Sequence, residues 1–266
     1  MGNKNWTLRM GSLLMIAIIL WFGSSAYGGG QGPASDPENG SEKAFHYTAK
    51  KLGIPILKAI IRIGNGYSEQ GKNLYKIEAQ VISLKVPGFM FRMNNRFTSF
   101  MEMDPFSPLR YVKEIDQEGL FIERKNYLQT ITFDSIHHKA IVEKKEAGEK
   151  REVLLPSHTY DPLTMFARYH LKEGLPPDQE IRISIFDGVK CRQMVFQLKK
   201  SRIRSKILGE VDAFCLASTT AFSSFGEKEG NIRIWYTVNG KKIPVSLELD
   251  LPIGVVRFEL DQLKEG

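Results

Sequence analysis

The sequence predicts a mainly β protein: an antiparallel curved sheet or (half-)barrel of about a dozen strands with one or two short helices. Three observations predict it. Apolar and polar residues alternate with a period of two from Phe45 almost to the end of the chain. Turn-forming pairs, Asn239-Gly240 and Asp187-Gly188 above all, separate the alternating runs. The connections are also too short to hold the crossover helices that a parallel sheet requires.

Residues 1–26 read as a secretory signal peptide. Lys4 and Arg9 give a positive start, Leu13 to Phe22 form an unbroken apolar run, and Gly23-Ser24-Ser25-Ala26 offers small residues for cleavage after Ala26. The apolar run is about half the roughly 20 residues that a permanent membrane helix needs, so a cleaved signal is favoured over an uncleaved anchor. Residues 27–41, rich in Gly, Pro, Ser and Asn, read as a flexible linker with almost nothing to bury. Residues 42–266 then form a single β-rich domain.

Within that domain Ile54 to Ile63, Leu74 to Leu84, Leu109 to Ile115, Glu118 to Leu128, Ile181 to Phe186 and Val255 to Leu260 read as strands. Val256, Phe258 and Leu260 share one face of the last, while Arg257 and Glu259 share the other. Glu69-Gln70-Gly71 and Gln117-Glu118-Gly119 read as hairpin loops. One helix is well marked: Asp161 caps it, Pro162 suits its first turn, and Leu163, Phe166, Ala167 and Leu171 space out an apolar face before Gly174. A second short helix is expected over Gly88 to Asn94. Charged strand faces and a polar, non-aromatic end at Asp261 to Gly266 argue against a membrane-spanning barrel.

The chain has 37 basic and 30 acidic residues, and without Lys4 and Arg9 the balance is 35 to 30. That small excess gives no case for nucleic acid as a partner, although it allows attraction to an anionic surface. Cys191 and Cys215 fall in runs that read as a three-strand meander over 190–199, 202–208 and 211–220. Its outer strands would stand about 9.5 Å apart, too far for a bridge that needs Cα atoms within about 7 Å. Free, largely buried thiols are therefore expected.

Order of motifs carries a resemblance. Phe45-His46-Tyr47 with Leu52-Gly53-Ile54-Pro55, Phe97 to Pro108, Phe133-Asp134, Tyr160-Asp161-Pro162-Leu163, Gly209 to Phe214, and Ile234-Trp235 before Ile243-Pro244-Val245 follow one another along the chain. In that order they resemble the exported bacterial family catalogued as domain of unknown function 3108. The resemblance implies a periplasmic or envelope-associated β-rich protein of Gram-negative bacteria. It implies no activity and no functional residues.

The search for chemistry is mostly negative. There is no G-x-S-x-G, no phosphate-binding Walker loop, no H-E-x-x-H and no C-x-x-C, and no cofactor is expected. His137 and His138, adjacent in sequence, share an ion only if they lie in a turn. His158 and His170 flank Asp161, but a loop histidine, a helix cap and a helix-end charge account for all three. Two other features suggest binding. Val86 to Phe106 holds five Phe and four Met, a composition suited to an adaptable apolar surface; Phe89, Phe91 and Met93 are the candidate ligand contacts, expected to be partly exposed when empty. Lys200, Arg202, Arg204 and Lys206 place four cations on one strand face, a candidate contact for an anionic partner. The expected function is a non-catalytic envelope protein binding a lipid or other apolar ligand in a barrel-like cavity. The alternatives are a scaffold or assembly factor for an envelope protein or anionic surface, and a hydrolase with an unrecognised site.

Overall fold

Alternation of the kind seen in Phe91 to Met101, where Phe91, Met93, Phe97 and Met101 are buried and Arg92, Asn94 and Arg96 exposed, forces each strand to turn one face inward. A computed structural model of the chain describes residues 41–69, 71–84, 91–119, 122–145, 147–172, 180–219, 222–225, 228–251 and 254–266. The expected signal peptide, nearly all of the linker, and Phe89 lie outside the described residues.

The first half is an up-and-down meander: β1 (Glu42–Lys51), β2 (Ile54–Glu69), β3 (Lys72–Ser83), β4 (Phe91–Glu102), β5 (Pro108–Gly119), β6 (Ile122–Asp134), β7 (Lys139–Lys144) and β8 (Glu149–Leu154). The chain then makes the two-residue β9 (Thr159–Tyr160) and the helix α1 (Pro162–Leu171). The second half contains β10 (Glu180–Phe186), β11 (Cys191–Ser205), β12 (Gly209–Ser218), a two-stranded ribbon of β13 (Phe222–Phe225) and β14 (Lys228–Gly230), then β15 (Ile232–Thr237), β16 (Pro244–Leu251) and β17 (Gly254–Glu265).

All strands except the ribbon join one 15-stranded sheet in the order β8-β7-β6-β5-β4-β3-β2-β1-β17-β16-β15-β12-β11-β10-β9. First and last strands meet in the middle, so β1–β17 pairing unites the two halves. The sheet does not close. Its edges are β8 and β9, which are consecutive in the chain, and β9 runs parallel to β10 while the other pairs are antiparallel. The opening is thus the place where the chain leaves the sheet and turns inward.

What turns inward is α1. Asp161 caps it and is fully buried; its Oδ1 accepts from the backbone N–H of Leu163 (2.9 Å) and Thr164 (3.0 Å), and its Oδ2 from the hydroxyls of Ser99 on β4 (2.8 Å) and Thr164 (2.5 Å). Burial raises the pKa of this carboxyl, and those hydrogen bonds pull against it. Leu163, Met165, Phe166, Ala167 and Tyr169 are all buried, and Tyr236 on β15 donates to the Phe166 carbonyl (3.1 Å). With seven of its ten residues buried, the helix packs into the concave face of the sheet and leaves Arg168 at the opening. Among the described residues no helix is long and apolar enough to cross a membrane.

Several sequence expectations need correction. Residues 91–94 begin β4, so the second helix expected over Gly88 to Asn94 is absent from the described part of that span; the period-two burial there outweighs helical propensity. The hairpin expected at Gln117 to Gly119 lies further on, because β5 continues to Gly119 and β6 starts at Ile122. Asn239-Gly240 sits in a longer connection whose positive φ falls on Lys242 (42°), held by Thr237 Oγ1 donating to Asn239 Oδ1 (2.6 Å). The expected meander does not form, since 190–199 and 202–208 belong mostly to the single strand β11. Cys215 pairs in register with Lys199, eight residues along β11 from Cys191. Both cysteines are free, as expected, yet Cys191 is exposed and Cys215 alone is buried.

Candidate binding cleft

A cleft of about 620 Å³ opens where the sheet fails to close. Three connections shape it: the β4–β5 turn with Pro105 and Ser107, the β6–β7 turn with Ser135, Ile136 and His138, and the segment from Leu155 to Tyr160 that leads from one sheet edge to the other. Backbone hydrogen bonds hold these pieces: Leu155 N–H to His138 O (2.7 Å) joins two of them, Glu102 N–H to Ser107 O (2.9 Å) closes the β4–β5 turn, and Ser184 N–H to His158 O (3.4 Å) ties the third to β10. Phe106, His138 and His158 on these connections have φ of 64°, 51° and 56°. Non-glycine residues rarely adopt this region, and such conformations gather at functional sites.

Apolar walls come from Phe133, Leu155, Pro105, Pro108 and Pro156. The charged groups are mostly cations: Lys72, Lys139, Arg168 and Lys172 against Glu102 and Asp134. Lys72 is paired with Glu102 (2.8 Å) and Lys139 with Glu152 (2.9 Å). Asp134 accepts from the backbone N–H (3.0 Å) and ring Nδ1 (2.7 Å) of His137, bonds that hold its carboxyl below the usual range. Arg168 and Lys172 have no carboxylate partner among the described residues. The Arg168 guanidinium lies 4.7 Å from the centre of the Tyr160 ring and donates to its hydroxyl. Stacking on a buried tyrosine fixes the cation without neutralising it. The volume of the cleft falls within the range of about 300–1,000 Å³ usual for small-molecule pockets.

A turn of the second half pins the opposite side of the opening. Gly188, between β10 and β11, has φ of 88°, and a Cβ there would lie 2.8 Å from Gln129 Oε1 and 2.9 Å from Ile131 Cδ1 of β6. Lys113 on β5 donates to the Asp187 carbonyl (2.9 Å) and Arg151 on β8 to the Gly188 carbonyl (2.5 Å). Lys113 is 1% exposed; burial, with Lys144 and Lys125 acting in the same direction and Asp187 against, pushes its pKa down to about 8.

The candidates singled out in the sequence lie elsewhere. Phe91 and Met93 sit at the far end of β4 from Glu102, roughly 30 Å away at about 3.3 Å per residue. They are 8% and 2% exposed and belong to the core, contrary to the expectation of an accessible pocket wall; both are inward-facing positions of the alternating strand β4. Lys200, Arg202, Arg204 and Lys206 are all exposed, but Lys206 lies in the β11–β12 turn, and two of the four are engaged, Arg202 with Asp212 (3.1 Å) and Lys206 with Asp261 (2.7 Å). His137 and His138 do share a turn, yet no group of three or more His, Cys, Asp or Glu suited to a metal occurs among the described residues. His170 is buried rather than a helix-end charge: its Nδ1 donates to the Lys242 carbonyl (2.9 Å), and its ring meets Phe45 edge-on at 5.2 Å. Sequence reasoning missed the cleft because its residues come from three separate connections; the pair Tyr160 and Arg168 was the legible signal, eight residues apart around the helix cap.

Comparison with solved structures finds the crystal structure of a beta-barrel-like protein of domain of unknown function DUF1849 from Brucella abortus, with a TM-score of 0.51 at 11% identity over 85% of this chain and 97% of that one. The likeness is one of fold. Among curated proteins none matches. The family model described as protein of unknown function (DUF3108) matches residues 44–261, from the first strand to the last and across every element of the cleft. The chain therefore belongs to the DUF3108 family.

Proposed function

We propose that this is a non-catalytic binding protein of the bacterial envelope, and that it holds a lipid or other apolar ligand bearing an acidic group in the cleft at the sheet opening. The observation that carries the reading is Arg168: a cation clamped on Tyr160 with no carboxylate partner among the described residues, at the wall of a ligand-sized space that also has apolar faces. The apolar walls take a hydrocarbon portion, and Arg168 with Lys172 takes the acid. Envelope location rests on the signal-like residues 1–26 and on the exported family that the motifs resemble. The scaffold reading is the weaker one, because two cations of the basic row are already paired within the chain.

Native mass spectrometry of protein purified from its own periplasm, followed by solvent extraction, tests this. One bound apolar acid per chain is expected. Ligand-free protein that also takes up no long-chain carboxylate on addition would refute the reading.

A further inference from the structure

The side chains of the β1–β2 turn bring strain to the hairpin and little packing. Leu52 and Gly53 form a two-residue turn in which both φ angles are positive, 50° and 80°. This is the backbone of a type I′ turn, where asparagine, aspartate or glycine is the favoured first residue and leucine is strained. Leu52 is nevertheless 90% exposed, and its neighbour Ile54 62%. Val255, whose chain neighbour Val256 pairs with Lys51, is also exposed. A Cβ at Gly53 would meet nothing within 4 Å, so the tip stands in open space. Nothing in the packing of the described residues explains why apolar side chains occupy this place. The unpaired charges beside it are basic: Lys51 and Lys58 have no carboxylate partner among the described residues, whereas Lys50 and Arg257 nearby in the ladder pair with Glu259 and Glu248.

We propose that the tip Leu52–Ile54, with Val255 beside it, inserts into the surface of an anionic lipid bilayer while Lys51 and Lys58 contact the headgroups. Apolar side chains on a protruding turn gain by entering the headgroup–acyl boundary, and cations just behind them gain from negative surface potential. The charge of the collar selects this occupant over an apolar protein patch. The site is distinct from the cleft and does not depend on what the cleft holds.

Co-sedimentation of the protein purified from its own periplasm with vesicles rich in phosphatidylglycerol, against vesicles of phosphatidylcholine alone, tests the proposal. Wild type is expected to partition onto the anionic vesicles. L52N/I54N should reduce partitioning about tenfold or more, and Lys51→Gln or Lys58→Gln about fivefold each on the anionic vesicles only. Leu52→Asn should keep or raise the melting temperature, since asparagine accepts positive φ, so lost binding is not lost folding. A Leu52→Trp variant should be quenched by bromine-labelled lipid beyond the wild-type tryptophan signal. Absence of wild-type binding, or equal binding by wild type and L52N/I54N, overturns the proposal. So does a wild-type dimer in solution that L52N/I54N converts to monomer without a change in vesicle binding.

Discussion

One curved sheet is joined in two different ways. Where β1 meets β17, a backbone ladder runs from Lys43 opposite Glu265 to Lys51 opposite Val256, and the inward side chains are Phe45, Tyr47, Ala49, Val256, Phe258 and Leu260. Tyr47 donates to the Pro244 carbonyl (2.8 Å), and Lys50 pairs with Glu259 (2.5 Å) on the outside. Where β8 and β9 face each other there is no ladder. The opening is bridged by Arg151 and Lys113 reaching backbone carbonyls of the β10–β11 turn. The inner wall there carries polar groups, with Lys113 and Gln129 buried. A barrel that leaves one seam unladdered creates ligand-sized space at that seam, at the expense of buried charge.

If that contrast is right, damage to the ladder should cost more than damage to the seam. Phe45→Ala should destabilise the protein by about 3–5 kcal/mol in urea denaturation, the value for a large side chain removed from a packed interior. A loss under about 1 kcal/mol would make the ladder no stronger than the seam. At the seam, Gly188→Ala should cost about 2–3 kcal/mol: it meets positive φ and forces Gln129 and Ile131 to move. Hydrogen exchange in that variant should rise in β8 and β9 and stay unchanged in β1 and β17.

Removing the buried charge should act in the opposite direction. Lys113→Met is expected to stabilise the protein by about 1–2 kcal/mol at pH 7. The sign follows from the folded pKa of about 8 against the ordinary 10.5: between those values the unfolded chain binds the extra proton, so wild-type stability rises with pH. The gap between wild type and Lys113→Met should therefore narrow as pH climbs from 8 to 10.5. Denaturation series at several pH values read this directly, and a constant gap would mean that Lys113 keeps its ordinary pKa.

The smallest effect belongs to His170, beside the ladder. Burial holds its pKa below 6.5, so the unfolded chain takes up the proton first and stability falls as pH drops through that value. His170→Phe should flatten this acid dependence by under about 1 kcal/mol, despite losing the bond to the Lys242 carbonyl. A steeper acid slope in the variant would assign the sensitivity to other groups.

Much of the fold was legible in the sequence because its signals are local. Alternation in Val255 to Leu260 and the Asp161-Pro162 cap each act within a few residues, and both the strand and the helix follow. Longer-range features were not legible. That β1 pairs with β17 depends on curvature accumulated over the whole sheet. Phe91 and Met93 carried a composition suited to an open surface, but both lie on the buried face of β4, in a core assembled from residues far apart in the chain. The same holds for the cleft: Arg168 looks like an ordinary helix-surface cation until Tyr160 and the β6–β7 turn are placed beside it.

The cleft at the seam is most directly tested by titrating the protein with a fluorescent long-chain carboxylate and comparing wild type, Arg168→Gln and Phe91→Ala. One probe per chain is expected to bind wild type. Arg168→Gln should weaken binding about tenfold, the loss of one charge-assisted contact, with little change in stability. Phe91→Ala should cost about 2–4 kcal/mol of stability and leave probe affinity per folded molecule unchanged. Affinity lost in Phe91→Ala and kept in Arg168→Gln would contradict the account and move the site to the opposite end of the sheet.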